Sequence, residues 1–133
     1  DLGRRMSDGN KILGDGKTIR GFFVGLLGGS VFGFLQHFFW GRLGGLEVAV
    51  LLSFGALVGD VVGSFLKRRI GLERGEAMPG LDQLEFIAFA LLFGSMLSFP
   101  RWEIVVALVV LTPLIHLGTN VMGYKMGLKS EPY

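Results

Sequence analysis

The sequence predicts an all-α integral membrane protein, a helical bundle with four transmembrane helices in this chain, and three observations predict it. Half of the 133 residues are hydrophobic and only 18% are charged, against about a quarter in ordinary soluble domains. Four apolar stretches, 21–40, 46–66, 84–99 and 103–123, approach or reach the ~20 residues that a helix needs to cross a hydrocarbon core of about 30 Å. Cations collect between these stretches in alternation. Arg4, Arg5, Lys11, Lys17 and Arg20 precede the first; Lys67, Arg68, Arg69 and Arg74 separate the second from the third; Lys125 and Lys129 follow the fourth. The other two connections hold only Arg42 and Arg101. By the positive-inside rule, loops 1–20, 67–83 and 124–133 face the cytoplasm. The length fits a single membrane-embedded domain, residues 1–133. An opening of DLGRRMSDGNK carries no secretory signal, and its lack of an initiator methionine suggests a trimmed chain or a fragment.

Taken in order, the first two apolar stretches carry glycine at every fourth position. Gly21, Gly25, Gly29 and Gly33 form one face of the first helix, and Gly55, Gly59 and Gly63 one face of the second. Small residues at this spacing let helix backbones approach closely in lipid. The third stretch is short for a perpendicular crossing, so its helix is expected to begin in the headgroup layer or to extend from Pro79. Asp82, with Glu85 three residues later, resembles a helix N-cap and its capping-box partner. The fourth contains Pro113, where a kink is expected if a neighbour satisfies the freed carbonyl. LLFGSMLSF and IVVALVVLTPLI are apolar all round, which argues against a soluble bundle with one polar face per helix.

Polar residues inside such stretches are the candidates for chemistry. Asp60 sits in GALVGDVVGSFLKRR. At about 100° per residue, Ser64 and Lys67 fall about 40° and 20° to either side of it, forming one narrow stripe that Arg68 and Arg69 flank. A carboxylate within a span is unfavourable by about 2.5–3.5 kcal/mol at the helix centre, and marks a pathway, an ion pair or a metal. A structural Asp60 to Lys67 contact is the plainer alternative. Asp82 begins the next helix on the same membrane face, so the two carboxylates can share a hard cation. Mg²⁺ takes one or two carboxylates and completes its shell with water and phosphates. The string ILGDGKTIRG lacks the first glycine of a P-loop, Lys11 standing in its place. Gly14 and Gly16 still give a pliant backbone, Lys17 and Arg20 supply charge, and the helix start offers N–H groups to an anion, a nucleotide or a lipid headgroup. His116 shares a stripe with Thr112 and Asn120, which favours interhelical hydrogen bonding. The chain has no cysteine, so thiol nucleophiles, disulfides and thiolate metal sites are all excluded.

Together, ILGDGKTIRGFFVG, GDVVGSFLKRRIG, PGLDQLEF and HLGTNVMGYKMGLKSEPY resemble the CDP-archaeol synthase family and, more distantly, the CDP-diacylglycerol synthases. The resemblance extends in order across most of the chain. It implies a CTP-dependent cytidylyltransferase of the cell membrane, which joins CMP to an isoprenoid glycerol phosphate and releases pyrophosphate at a site facing the cytoplasm. Its partners are CTP, the lipid phosphate and the bilayer, and not nucleic acid. Asp60, Lys67, Arg68 and Asp82 become the expected catalytic residues. Gly14, Asp15, Gly16, Lys17, Thr18, Arg20, Ser64 and Arg69 become the expected substrate contacts. Asp60 and Asp82 are the expected Mg²⁺ ligands, with Glu85 a third where the family pattern usually has Asp. The family also has a further apolar span upstream of DLGRR.

Two rival functions share some of these features. A CTP-dependent polyprenol kinase needs the same basic loops and Mg²⁺, but releases CDP in place of pyrophosphate. A cation transporter using Asp60 and His116 requires polar residues through the full depth of the spans, whereas the charges here gather at one face.

Overall fold

The structure, a computed structural model, describes residues 6, 7, 9, 12, 13, 17–41, 45–72, 76, 78 and 80–128. Four helices follow one another: α1 (Ile19–Trp40), α2 (Gly45–Arg69), α3 (Leu81–Gly94) and α4 (Trp102–Lys125). No strand occurs among the described residues. Three helices, α1, α2 and α4, are long and apolar enough to cross a membrane. On α1 and α4 large side chains stay exposed along the helix, among them Phe23, Leu27, Phe38, Val110 and Ile115, while α2 is more covered. That is the surface expected of helices solvated by lipid.

The helices run past their expected bounds at the basic end. The first takes in Ile19 and Arg20, the second continues through Lys67, Arg68 and Arg69, and the third starts at Leu81. Residues 67–69 are therefore helical, not loop. The cations stand in the last turn of α2, where they meet the negative end of the helix dipole. The third helix departs furthest from expectation. It ends at Gly94, five residues early, and its 14 residues span only about 21 Å. A turn over 95–97 and non-helical residues 98–100 complete its path; Pro100 disfavours helical geometry in the residue before it. The fourth helix is unbroken through Pro113.

Glycine sets the packing. The second helix lies between α1 and α3, while α4 packs on α3 alone. Along the antiparallel α1/α2 contact, a Cβ placed on Gly25, Gly29 or Gly33 would meet Leu57, Ser53 or Ala49 respectively. Along α2/α3 the approach is closer still. A Cβ on Gly55 would lie 2.4 Å from the Phe89 carbonyl oxygen, and one on Gly59 would lie 2.6 Å from that of Glu85. These are contacts with backbone, which cannot swing aside. Phe54 joins the three helices by edge-to-face contacts with Phe22 at 6.0 Å and Phe93 at 5.2 Å.

Gly55→Ala and Gly59→Ala are each expected to destabilise the bundle by about 1–3 kcal/mol through overpacking, seen as a lower melting temperature in detergent. A Cβ on Gly28 meets nothing within 4 Å, so Gly28→Ala should leave that temperature unchanged or slightly raised. Equal melting temperatures in all three variants would refute the close α2/α3 approach.

Candidate active site

The first helix opens on Thr18, whose extended backbone (φ −120°, ψ 146°) and Oγ1 make it the N-cap; Oγ1 accepts from the Gly21 N–H at 3.0 Å. This leaves the hydroxyl proton to donate and places Lys17 just outside the helix. The third helix opens on Gly80, with φ at +90°, a conformation that glycine adopts without strain. Here the structure corrects the sequence-based expectation that Asp82 is the N-cap and Glu85 its partner. Gly80 holds that position, and the Gln83 side chain closes the turn by accepting from the Gly80 N–H at 2.5 Å. Asp82 lies within the first turn, its Oδ2 accepting from the Met78 N–H at 3.0 Å.

Two ion pairs bring the elements together. Lys17 Nζ donates to Asp60 Oδ2, tying the approach to α1 to the middle of α2. Lys67 Nζ donates to Asp82 Oδ1 at 2.8 Å, tying the end of α2 to the start of α3. The plainer alternative of an Asp60 to Lys67 contact within α2 is not what forms; each residue instead pairs across elements. The helical wheel explains the exchange. The α1-facing residues Ser53 and Leu57 lie about 20–60° to one side of Asp60, and the α3-facing Gly59 and Gly63 about 60–100° to the other. Asp60 and Lys67 thus stand on the seam and each reaches out to a different neighbour. The pair on α3 is the more enclosed, with side chains 17% and 18% exposed against 27% and 48% for Lys17 and Asp60.

Glu85 lies between the pairs. Its carboxylate rests on Gly63, where a Cβ would clash with both carboxylate oxygens, and it feels the charges of Asp82, Lys67, Asp60 and Lys17. Seven residues separate Asp60 from Lys67, about 10 Å along α2, so the carboxylates form a strip and not a single point. Among the described residues, no three His, Asp or Glu side chains converge as a dedicated metal cage. The donor set still suits Mg²⁺, which needs only one or two carboxylates when phosphates and water supply the rest. Two buried polar atoms lack hydrogen-bond partners beside the strip: Glu85 Oε2, an acceptor, and Arg68 Nε, a donor. An orphaned acceptor fits a cation, and an orphaned donor fits a phosphate.

The remaining expected residues are distributed unevenly. Ser64 is buried, 6% exposed, one turn from Asp60. Arg20 is exposed at the start of α1. Arg68 Nη1 donates to the Leu72 carbonyl and closes the end of α2. Arg69 lies over the Phe65 ring at 5.1 Å, on the side of α2 opposite Asp60. Gly14, Asp15 and Gly16 lie outside the described residues. A cavity of about 220 Å³ opens beside the first ion pair, lined by Lys17, Thr18, Gly21, Phe22, Leu57, Asp60 and Val61. Gln83 escaped the sequence analysis because the cap was counted from Asp82; counting from Gly80 would have found it.

This arrangement offers cations from α1 and α2, the N-termini of α1 and α3, and three carboxylates at one end of a lipid-facing bundle. It can bind a polyanion and a hard cation together. The profile of the CarS-like CDP-archaeol synthase family matches residues 1–133. A CDP-archaeol synthase of Pyrococcus horikoshii is 49% identical over 139 aligned positions, which cover 100% of this chain and 81% of that protein. One from Methanococcoides burtonii is 43% identical, covering 100% and 89%. A solved intramembrane enzyme for archaeal membrane lipids biosynthesis is similar with a TM-score of 0.83 and 38% identity, over 91% of this chain and 77% of that one. Likeness of this extent, in sequence over the whole chain and in fold over nearly all of it, means that the chain belongs to the CDP-archaeol synthase family.

Proposed function

We infer that the chain is a membrane-embedded CTP-dependent nucleotidyltransferase that moves CMP from CTP onto an archaeol-type lipid phosphate, and that the chemistry occurs on the strip between Asp60 and Asp82, facing the cytoplasm. The observation that carries the placement is the two lysine–carboxylate pairs from three separate elements, meeting at one end of the bundle. The cytoplasmic direction is supported by eleven basic residues on that side against two on the other.

The lipid phosphate is largely dianionic near neutral pH, because its second ionisation lies near about 6. One of its oxygens attacks the α-phosphorus of CTP, the bond from that phosphorus to the bridging oxygen breaks, and pyrophosphate departs. No protein nucleophile is needed, so the chain contributes positioning and charge neutralisation. Lys17, Thr18 and Arg20 engage the nucleotide from the start of α1. Lys67 and Arg68 hold the pyrophosphate or the lipid phosphate, the latter through its unpartnered Nε. Without nucleotide, Lys17 and Lys67 balance the charge of Asp60 and Asp82; an incoming triphosphate competes for the same ammonium groups. One or two of the carboxylates Asp60, Asp82 and Glu85 would hold Mg²⁺, water and phosphate completing its shell, and the ion when bound would supply neutralisation of charge on the phosphate oxygens.

Purified protein given Mg²⁺, CTP and an isoprenoid glycerol phosphate should release pyrophosphate and form a CDP-linked lipid; release of CDP would refute the reaction. Asp60→Asn should lower turnover about a hundredfold or more with a nearly unchanged melting temperature, since half-exposed ion pairs contribute only about 0–1 kcal/mol. Full activity in that variant would remove Asp60 from the site. In Lys17→Ala, titration calorimetry should show CTP affinity reduced about tenfold, and equal affinity would contradict a nucleotide contact.

A further inference from the structure

The least anchored element of the bundle is α4. It has no buried residue and packs only against α3. Among the described residues, a polar contact from α3 reaches α4 at His116. Gln83 Nε2 lies 3.5 Å from His116 Nδ1, and Asn120 Nδ2 lies 3.4 Å from the same nitrogen. The direction of the first bond is determined by the other end of the glutamine. Gln83 Oε1 already accepts from the Gly80 N–H, so the group facing α4 is the amide NH₂, a donor. His116 Nδ1 is therefore the acceptor, and its ring proton sits on Nε2.

We propose that the bond from Gln83 to His116 is the tether that sets α4 against the start of α3, which makes both of them positioning residues for the lipid side of the reaction. The proposal rests on the function inferred above and adds what holds the fourth helix in place. Gln83 follows Asp82 directly, and its side chain closes the turn that presents Asp82 to Lys67. The same side chain thus orders the candidate site and holds a membrane helix. Further into the bilayer, Leu108 and Thr112 of α4 border an apolar groove of about 420 Å³ whose other walls are α1, α2 and α3. Where α4 stands therefore sets how open this lipid-side surface is.

The chain has no cysteine, so a pair of spin labels can be placed without background. Labels at Val24→Cys on α1 and Met122→Cys on α4, both lipid-exposed, report the position of α4 by dipolar spectroscopy in nanodiscs. His116→Phe keeps a ring but removes the acceptor; His116→Asn places Oδ1 where Nδ1 was. The expected result is a narrow distance distribution in the parent, a broadened or shifted one in His116→Phe, and a narrow one again in His116→Asn. In parallel, His116→Phe should raise the KM for lipid phosphate about three- to tenfold with kcat and CTP affinity within about twofold. An unchanged distribution or lipid KM in His116→Phe, or a His116→Asn variant as perturbed as the phenylalanine one, would overturn the tether. The distance measurement needs no turnover, so a parent protein that failed to make the CDP-linked lipid would refute the function while the tether was still decided.

Discussion

The organising contact of this protein is the approach of two helix backbones at Gly55 and Gly59. Between these helices no side chain intervenes at the closest points; the α2 backbone faces the backbone of α3 at Phe89, Ala90, Glu85 and Phe86. Lipid supplies no hydrophobic force to press helices together, so surfaces that fit at van der Waals distance must provide the attraction. The consequence for the site is one of register. Once Gly59 lies against Glu85 and Phe86, the Glu85 carboxylate falls on Gly63, and the turn before it brings Asp82 to Lys67. Sliding α3 by one residue would place Cβ atoms against the α2 glycines differently and part that ion pair. Packing and chemistry are specified by the same face.

The electrostatics follow from that register. Three carboxylates within a membrane domain would repel one another if left alone, and each would seek protonation or a counterion. Two receive lysines from other elements, and the third sits between them with one oxygen unsatisfied. The strip is therefore close to balanced and still has an unmet acceptor and an unmet donor. Such a surface resists collapse into a closed salt-bridge network, and a ligand carrying both a cation and phosphates can satisfy what is left over.

Much of this was legible in the sequence because lipid leaves few options. The glycine repeats predicted most of the packing faces: Gly25, Gly29, Gly33, Gly55, Gly59 and Gly63 lie at helix contacts, whereas a Cβ on Gly21 would meet only Thr18 at the start of its own helix. The stripe of Asp60, Ser64 and Lys67 was likewise correct as a direction on one helix. Partners across helices were not legible. Whether Lys67 turns toward Asp60 or Asp82 depends on where the neighbouring helix stands, which periodicity within a single helix does not encode. The start of α3 misled for a local reason: Asp82 and Glu85 have the spacing of a capping box, but a positive-φ glycine two residues earlier took the cap and Gln83 closed it. The early end of α3 had weak signals, since Gly94 and Ser95 interrupt a run that hydropathy alone would continue to Phe99.

A short α3 also fits the chemistry better than four matched spans would. One reactant is a soluble nucleotide and the other carries chains that remain in the bilayer, so their phosphates must meet at the membrane surface. A helix of about 21 Å whose N-terminus holds Asp82 at the level of Lys67 is followed by a turn over 95–97 and non-helical residues 98–100 before α4. The length of α3 is thus set from the end that carries Asp82. Its start must align with the last turn of α2 for the ion pair to form, and its far end carries no charge that would require a fixed depth. In α1 and α2 the same alignment is achieved differently: Lys17 lies just before a helix and Lys67 in the last turn of one, and each ammonium reaches a carboxylate on another element.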